Sequence, residues 1–206
     1  MNITDILNPQ FLITTLGVLG VIGIIYLETG AFFGFFFPGD SLLVTAGYFA
    51  SQGHLPIIIL LIFTFIAAVL GDSTGYAFGK KVGPAIFNKE DSLFFNKKYI
   101  IRAQEYYERH GGKTIIIARF IPAIRTFAPI VAGIGNMRYK TFLAYNMIGG
   151  FVWTWGMLLI GYVFGSVVPN PDRYIIPLVS VIIIISAAPA IFKIVQEYLK
   201  SVRKVK

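Results

Sequence analysis

The chain has 206 residues, of which 56% are hydrophobic, 16% aromatic and only 14% charged, with a mean hydropathy of +0.72. A soluble domain holds about 45–50% apolar and about 25% charged residues, so an ordinary soluble globular protein and a disordered one are both excluded. The net charge is +8, there is no cysteine, and the two histidines, His54 and His110, are far apart. Disulfide frameworks, thiol catalysis and cysteine-based metal sites are therefore excluded as well.

A helix crossing about 30 Å of hydrocarbon needs about 20 apolar residues. Residues 11–27 reach that length with a short extension at either end. The first basic residue is Lys80, so no basic region precedes this run and a cleavable signal peptide is not expected. Residues 31–51 are also apolar, but Pro38-Gly39-Asp40 interrupts them. Residues 56–79 form a comfortable span, followed by a basic loop to residue 113. Residues 114–135 are apolar yet broken by Pro122 and Pro129, with Arg119 and Arg125 inside. Two more spans follow at 141–165 and 174–192, and then a basic tail from residue 193. Each half of the two broken segments is roughly 8–11 residues, or about 12–17 Å of helix, which is half a bilayer. The predicted fold is all-α: four spanning helices plus two re-entrant hairpins, tolerated at depth only where protein or a hydrated cavity surrounds them. Two further kinked spans are the alternative.

The basic residues set the orientation. Residues 80–113 carry eight and the tail five, Arg138 and Lys140 lie in the 136–140 link, and the 51–56 and 165–174 links hold Arg173 alone. The positive-inside rule then places the 80–113 loop, the 136–140 link and both termini in the cytoplasm. The first hairpin dips in from outside and the second from the cytoplasm. The whole chain reads as one integral membrane domain: a repeat at 28–83, a basic loop at 84–113, a second repeat at 114–165, a last span and a tail at 193–206. Gly79 and Gly83 align with Gly161 and Gly165 at an offset of 82, and Pro38 with Pro122 at nearly the same offset. Inverted repeats with broken helices at the midplane mark secondary transporters. Gly71, Gly75, Gly79 and Gly83 read as a small-residue packing face, and Gly17, Gly20 and Gly23 read the same way. Residues 88–110, with Phe94, Phe95, Tyr99, Tyr106 and Tyr107, suit either an amphipathic surface helix or a solvated connector.

Glu28, Asp40, Asp72, Arg119 and Arg125 fall inside or beside the apolar segments. At about 2.5–3.5 kcal/mol each at helix centre, five isolated charges would cost roughly 12–17 kcal/mol, so they must pair or face a hydrated cavity. Packing of the two repeats is expected to bring Asp40 close to both Arg119 and Arg125, with Glu28 nearby. Arginine binds phosphate bidentately and keeps its charge, which makes Arg119 and Arg125 candidate phosphate ligands. Desolvation favours the protonated form of a carboxyl group, which makes Glu28 and Asp40 candidates for proton coupling or arginine pairing. Asp72, Ser41 and Thr126 are secondary candidates, the hydroxyls serving either as ligand donors or as helix caps. The breaks at Pro38, Gly39 and Pro122 expose helix N-termini that favour anions. Trp153 and Trp155 read as packing or cavity-lining residues.

Glu28 followed by FFGFFFPGDSLL, then GDSTGYAFGKKVG, then FFNKKYIIRAQEYYERHGGKTIIIARFIPAIRTFAPIVAGIGNM, resembles the DedA family of membrane proteins, also called SNARE-associated or VTT-domain proteins. The resemblance runs from about residue 15 to residue 165. Ala118 and Ala123 depart from it, standing where many members have glycine. The resemblance implies a lipid transporter with two inverted re-entrant hairpins. Its bacterial members are implicated in returning undecaprenyl phosphate across the cytoplasmic membrane, and others in phosphatidylethanolamine movement or scrambling. The family's functional acids look like Glu28 and Asp40 here, and its two arginines look like Arg119 and Arg125. The expected function is therefore flipping of polyprenyl (undecaprenyl) phosphate across a bacterial cytoplasmic membrane, coupled to protons or sodium. The expected partners are that lipid and that ion, with no nucleic acid, no cofactor and no metal; a homo-oligomer stays open. Alternatives are a phospholipid scramblase and a proton-coupled cation antiporter. An enzyme is not expected, because neither histidine lies beside the arginines and no zinc ligands cluster.

Overall fold

A computed structural model of the chain describes residues 9–30, 39–86 and 111–168, with 105 and 177 singly. Among these residues every regular element is an α-helix and none is a strand. In chain order they are α1 (Pro9–Gly30), α2 (Gly39–Ser51), α3 (Ile57–Ile86), α4 (Lys113–Ala118), α5 (Pro122–Ile134) and α6 (Tyr139–Val167). The expected last span at 174–192, the basic tail, Pro38 and the first arm of the first hairpin, and nearly all of 88–110 lie outside the described residues.

Among the described residues, two helices are long and apolar enough to cross a membrane: Ile57–Gly83 within α3 (27 residues) and α6 (29 residues). Each extends about 40 Å at 1.5 Å per residue, more than the hydrocarbon thickness of about 30 Å. The segment 11–27 is helical but bent. Gly17 has φ 59°, a region that only glycine enters without a Cβ penalty. The apolar helix beyond the bend is Leu16–Gly30, about 22 Å long. Among the described residues, Gly17, Gly20 and Gly23 meet no other element. No described neighbour comes within 4 Å of a Cβ placed on Gly17 or Gly23, and Gly20 faces Leu16 of its own helix. Gly17 gives the helix its bend.

The broken segment at 114–135 forms α4 and α5, separated by a turn at 119–121. Ile121 is extended (φ −119°, ψ 105°), as the residue before a proline prefers. Pro122 then opens α5, where its missing N–H costs nothing. Pro129 does not break the chain and lies inside α5, which corrects the sequence expectation. It packs beside Gly75 of α3, and α5 continues along α3 to Ile134. The arms are thus 6 and 13 residues long, unequal because a single break falls near one end.

Glycines set how the helices cross. The stripe on α3 meets two elements: Gly71 lies against Thr29 and Gly30 of α1, while Gly75, Gly79 and Gly83 lie against Pro129, Ile130 and Ile134 of α5. α2 packs in the same manner along α6. A Cβ on Gly47 would strike the Leu158 carbonyl and approach the Tyr162 amide, and one on Gly133 would strike the Tyr76 carbonyl and the Lys80 amide. Leu158 and Tyr162 lie 82 positions beyond Tyr76 and Lys80. Gly161, 82 positions beyond Gly79, meets Val44 of α2 as Gly79 meets Ile130 of α5. The two short helices therefore dock on the two long ones through equivalent backbone contacts.

The main core is built from Val21, Ile25, Leu42, Leu43, Leu60, Ala68, Trp153 and Leu158. The outward faces of α3 and α6 remain apolar: Ile58, Phe63, Leu70, Ile148, Phe151, Ile160 and Val163 are all exposed. Glu28, Asp72, Arg119, Arg125 and Asn146 are buried instead. Apolar outside and charged inside is the distribution that lipid requires and water penalises.

Candidate functional site

The five intramembrane charges gather into two ion-pair clusters against α6. The first joins the end of α1 to the starts of α2 and α5. Arg125, in the first turn of α5, donates from Nη1 to Asp40 Oδ1 at 2.6 Å and from Nη2 to Glu28 Oε1. Trp153 of α6 donates its indole Nε1–H to the same Asp40 oxygen at 2.7 Å. Local sequence explains the arrangement. Gly39 opens α2 without a side chain, and Glu28 places its carboxylate where a Cβ would be. Asp40 sits in the first helical turn, where backbone dipoles favour a negative charge.

The second cluster holds Arg119, which caps the C-terminus of α4. Its Nη2 donates to Asp72 of α3, to Asn146 of α6 and to the Ala68 carbonyl, the last at 3.3 Å. Asn146 also donates to the Val69 carbonyl at 3.1 Å. Gly149 and Gly150 clear a path for the arginine: a Cβ on Gly149 would lie 3.0 Å from Arg119 Cδ.

The Trp153 ring joins the clusters. Arg125 Cζ lies 4.8 Å and Arg119 Cζ 5.8 Å from its centroid, within the range of cation–π attraction. Trp153 is thus more than packing, because it contacts three of the five charges. Trp155 donates instead to the Leu61 carbonyl at 3.1 Å. One sequence expectation is corrected: Arg119, expected beside Asp40, is paired with Asp72, while Asp40 pairs with Arg125. Glu28 is the second carboxylate on Arg125. Ser41 is buried in α2, and its carbonyl accepts the Thr45 hydroxyl at 2.7 Å. The Thr126 hydroxyl is buried without a hydrogen-bond partner, so it caps nothing. Asn146, Gly149 and Gly150 were not singled out in the sequence. The only local signal was a polar residue four positions before a Gly-Gly pair's second member in an apolar helix.

Charge and hydrogen bonding leave the site incomplete. Asp72 and Arg119 cancel, whereas Glu28, Asp40 and Arg125 sum to one excess negative charge when both carboxyls are ionised. Among the described residues, four buried side-chain polar atoms have no hydrogen-bond partner: Glu28 Oε2, Arg119 Nε, Arg125 Nε and Thr126 Oγ1. Each such atom costs about 1–3 kcal/mol, and charged groups cost more. Three of the four can donate, as an anion would require. No group of three or more His, Asp or Glu that could hold a metal occurs among the described residues.

Comparison with known proteins agrees with a membrane location. The model of the VTT domain matches residues 37–163. An uncharacterized membrane protein of Mycobacterium tuberculosis is 39% identical over 202 residues, covering 94% of this chain and 88% of its own length. Protein DedA of Escherichia coli is 39% identical over 185 residues, covering 89% and 84%. Inner membrane protein YqjA of Escherichia coli is 30% identical over 159 residues, covering 77% and 71%. No solved structure matches.

Proposed function

This chain belongs to the VTT-domain family of membrane proteins, the DedA family, and from that premise and the site's chemistry we propose that it moves a polyprenyl phosphate between leaflets, coupled to a proton or sodium ion. The observation that carries this reading is Arg125. It is buried, bound by two carboxylates, and beside donors that have no partner. An arginine buried with surplus acid is a poor structural pin, because one carboxylate would neutralise it at lower desolvation cost. It suits an exchange in which a phosphate displaces carboxylate from the guanidinium fork. The displaced carboxylate must then be neutralised, which links lipid movement to a cation. The lipid tail stays in the bilayer, facing the apolar surfaces of α3 and α6. No bond is made or broken, and neither a cofactor nor a metal takes part.

The topology proposed with this function has four spans and two re-entrant hairpins of opposite orientation, in a bacterial cytoplasmic membrane with both termini inside. The thirteen-residue lengths of α2 and α5 support it, since about 20 Å of helix cannot cross the hydrocarbon. So do the equivalent contacts that dock these helices on α6 and α3.

The deciding experiment is leaflet exchange in proteoliposomes. Labelled undecaprenyl phosphate and labelled phosphatidylethanolamine are followed in parallel, with and without a proton gradient, beside Arg125→Ala. Gradient-sensitive movement of the polyprenyl phosphate alone, lost in the variant, is the expected result. Equal movement of both lipids without a gradient would make the protein a scramblase. Cation flux without any lipid movement would make it an antiporter.

A further inference from the structure

The equivalent docking of the two short helices gives each residue of one a counterpart in the other. Gly47 of α2 and Gly133 of α5 occupy the same place on their long helices, as do Val44 and Ile130, and Tyr48 and Ile134. Each of these pairs is 86 positions apart, and the long helices match at 82. On these offsets Thr126 is the counterpart of Asp40, and Gly71 of α3 is the counterpart of Trp153. The first half of the molecule joins its pair, because the Trp153 indole donates to Asp40 at 2.7 Å. The second half does not. Gly71 brings no side chain, and the space above it holds Thr29 Oγ1, which donates to the Ile25 carbonyl at 2.9 Å. Thr126 is thereby directed at the place where α3 meets the end of α1, the end that carries Glu28.

The hydroxyl itself stands apart from its equivalents. Thr29, Thr45, Thr64, Thr126 and Thr154 are buried. Thr29, Thr45, Thr64 and Thr154 each donate to the carbonyl four residues back, at 2.7 to 2.9 Å. That local bond is the usual way for a helical threonine to satisfy its hydroxyl. Thr126 is 2% exposed and makes no such bond. The preceding residue, Arg125, has a buried Nε in the same condition. Two buried donors on consecutive residues are costly without acceptors, and an anion supplies acceptors to both.

We propose that Thr126 is a ligand-binding residue: its hydroxyl donates to a phosphate oxygen of the lipid headgroup held at Arg125. This rests on the phosphate-transport reading above. Arg125 supplies the charge, and Thr126 supplies a neutral donor where the first half of the molecule has an acid. An acid at that position would repel the phosphate, whereas a hydroxyl bonds it and adds no charge to a buried site.

Two variants of the purified full-length protein test this. Thr126→Val keeps the shape of the side chain and removes the hydroxyl, and Thr126→Ser keeps the hydroxyl. In detergent without ligand, Thr126→Val should melt no lower than the unaltered protein, since the hydroxyl it removes bonds nothing. A clearly lower midpoint would make that hydroxyl a structural bond and overturn the proposal. Binding of farnesyl phosphate is then measured by titration calorimetry. Its Kd should rise about ten-fold or more in Thr126→Val, because a donor to a charged oxygen is lost, and should recover in Thr126→Ser. Farnesol, which has the tail without the phosphate, should bind Thr126→Val and the unaltered protein alike.

An unchanged Kd for farnesyl phosphate in Thr126→Val overturns the proposal, as does an equal loss of farnesol binding. Arg125→Ala separates this result from the transport reading. Weakened binding in Arg125→Ala but not in Thr126→Val removes the role of Thr126 alone. No binding of farnesyl phosphate to the unaltered protein removes both. Inorganic phosphate that binds as tightly as farnesyl phosphate would make the ligand a free phosphate and overturn the headgroup assignment.

Discussion

Arg125 and Arg119 are both buried guanidiniums, yet their surroundings ask different things of them. Arg125 faces two acids on two helices, and in the proposed function it trades one of them for a phosphate. Lysine there keeps the charge but lacks the planar fork that grips phosphate. Arg125→Lys is therefore expected to lower lipid movement roughly ten-fold or more, while the detergent-solubilised protein still elutes as a single folded species. Full activity in that variant would remove the phosphate clamp from the argument. Arg119 instead concentrates three acceptors from α3 and α6 on one nitrogen, which is how a side chain ties helices together. Asp72→Asn leaves it a buried charge without its counter-ion and should cost about 3–5 kcal/mol, read as a lower thermal midpoint. The double variant Asp72→Asn with Arg119→Gln should recover part of that loss, because the uncompensated charge is gone. No recovery would mean that Asp72 acts otherwise than through Arg119.

The unit of construction among the helices is a short helix laid against a long one across glycine. Gly47 and Gly133 give α2 and α5 their close approach to the backbones of α6 and α3. A larger residue at either must push the helix outward, and the starts of those helices carry Asp40 and Arg125. Gly47→Leu and Gly133→Leu should therefore lower stability by similar amounts, about 1–3 kcal/mol for an overpacked contact. Each should also reduce transport although neither residue touches the charges. Unfolding curves and leaflet exchange on the two variants check this, and an effect confined to one of them would argue against equivalent docking. One feature of the broken segment at 114–135 was visible in the residues. Pro122 ended one helix and began another because proline restricts the residue before it and suits a first helical turn. Pro129 looked the same in sequence but was carried through α5, since a proline's effect depends on whether packing holds the helix on both sides of it. Gly17 likewise resembled the packing glycines, and only its backbone angle distinguishes it.

At the scale of the whole molecule, the distribution of polarity is reversed relative to a soluble protein. Ion pairs and Asn146 sit inside, and the outer faces of α3 and α6 are apolar. The chain has no cysteine, so single introduced cysteines report topology without background. In intact cells Gln52→Cys should react with a membrane-impermeant maleimide. Lys97→Cys should react only after the membrane is opened. The reverse pattern would invert the proposed orientation, and equal labelling of both would deny that the two segments lie on opposite sides.

Membrane residence, the all-helical class, the long helices and the identity of the five costly charges follow from the sequence by itself. Each depends on local hydropathy, chain length and the cost of a charge in hydrocarbon, and none needs a partner. Which charge meets which was decided only by the tertiary structure. Arg125 and Glu28 are 97 residues apart, Arg125 and Asp40 are 85, and Arg119 and Asp72 are 47. Their contacts depend on the rotation and crossing of helices, set by glycines that touch backbone elsewhere. Trp153, 113 residues from Asp40, could not be distinguished from a packing tryptophan until that crossing placed its N–H on a carboxylate.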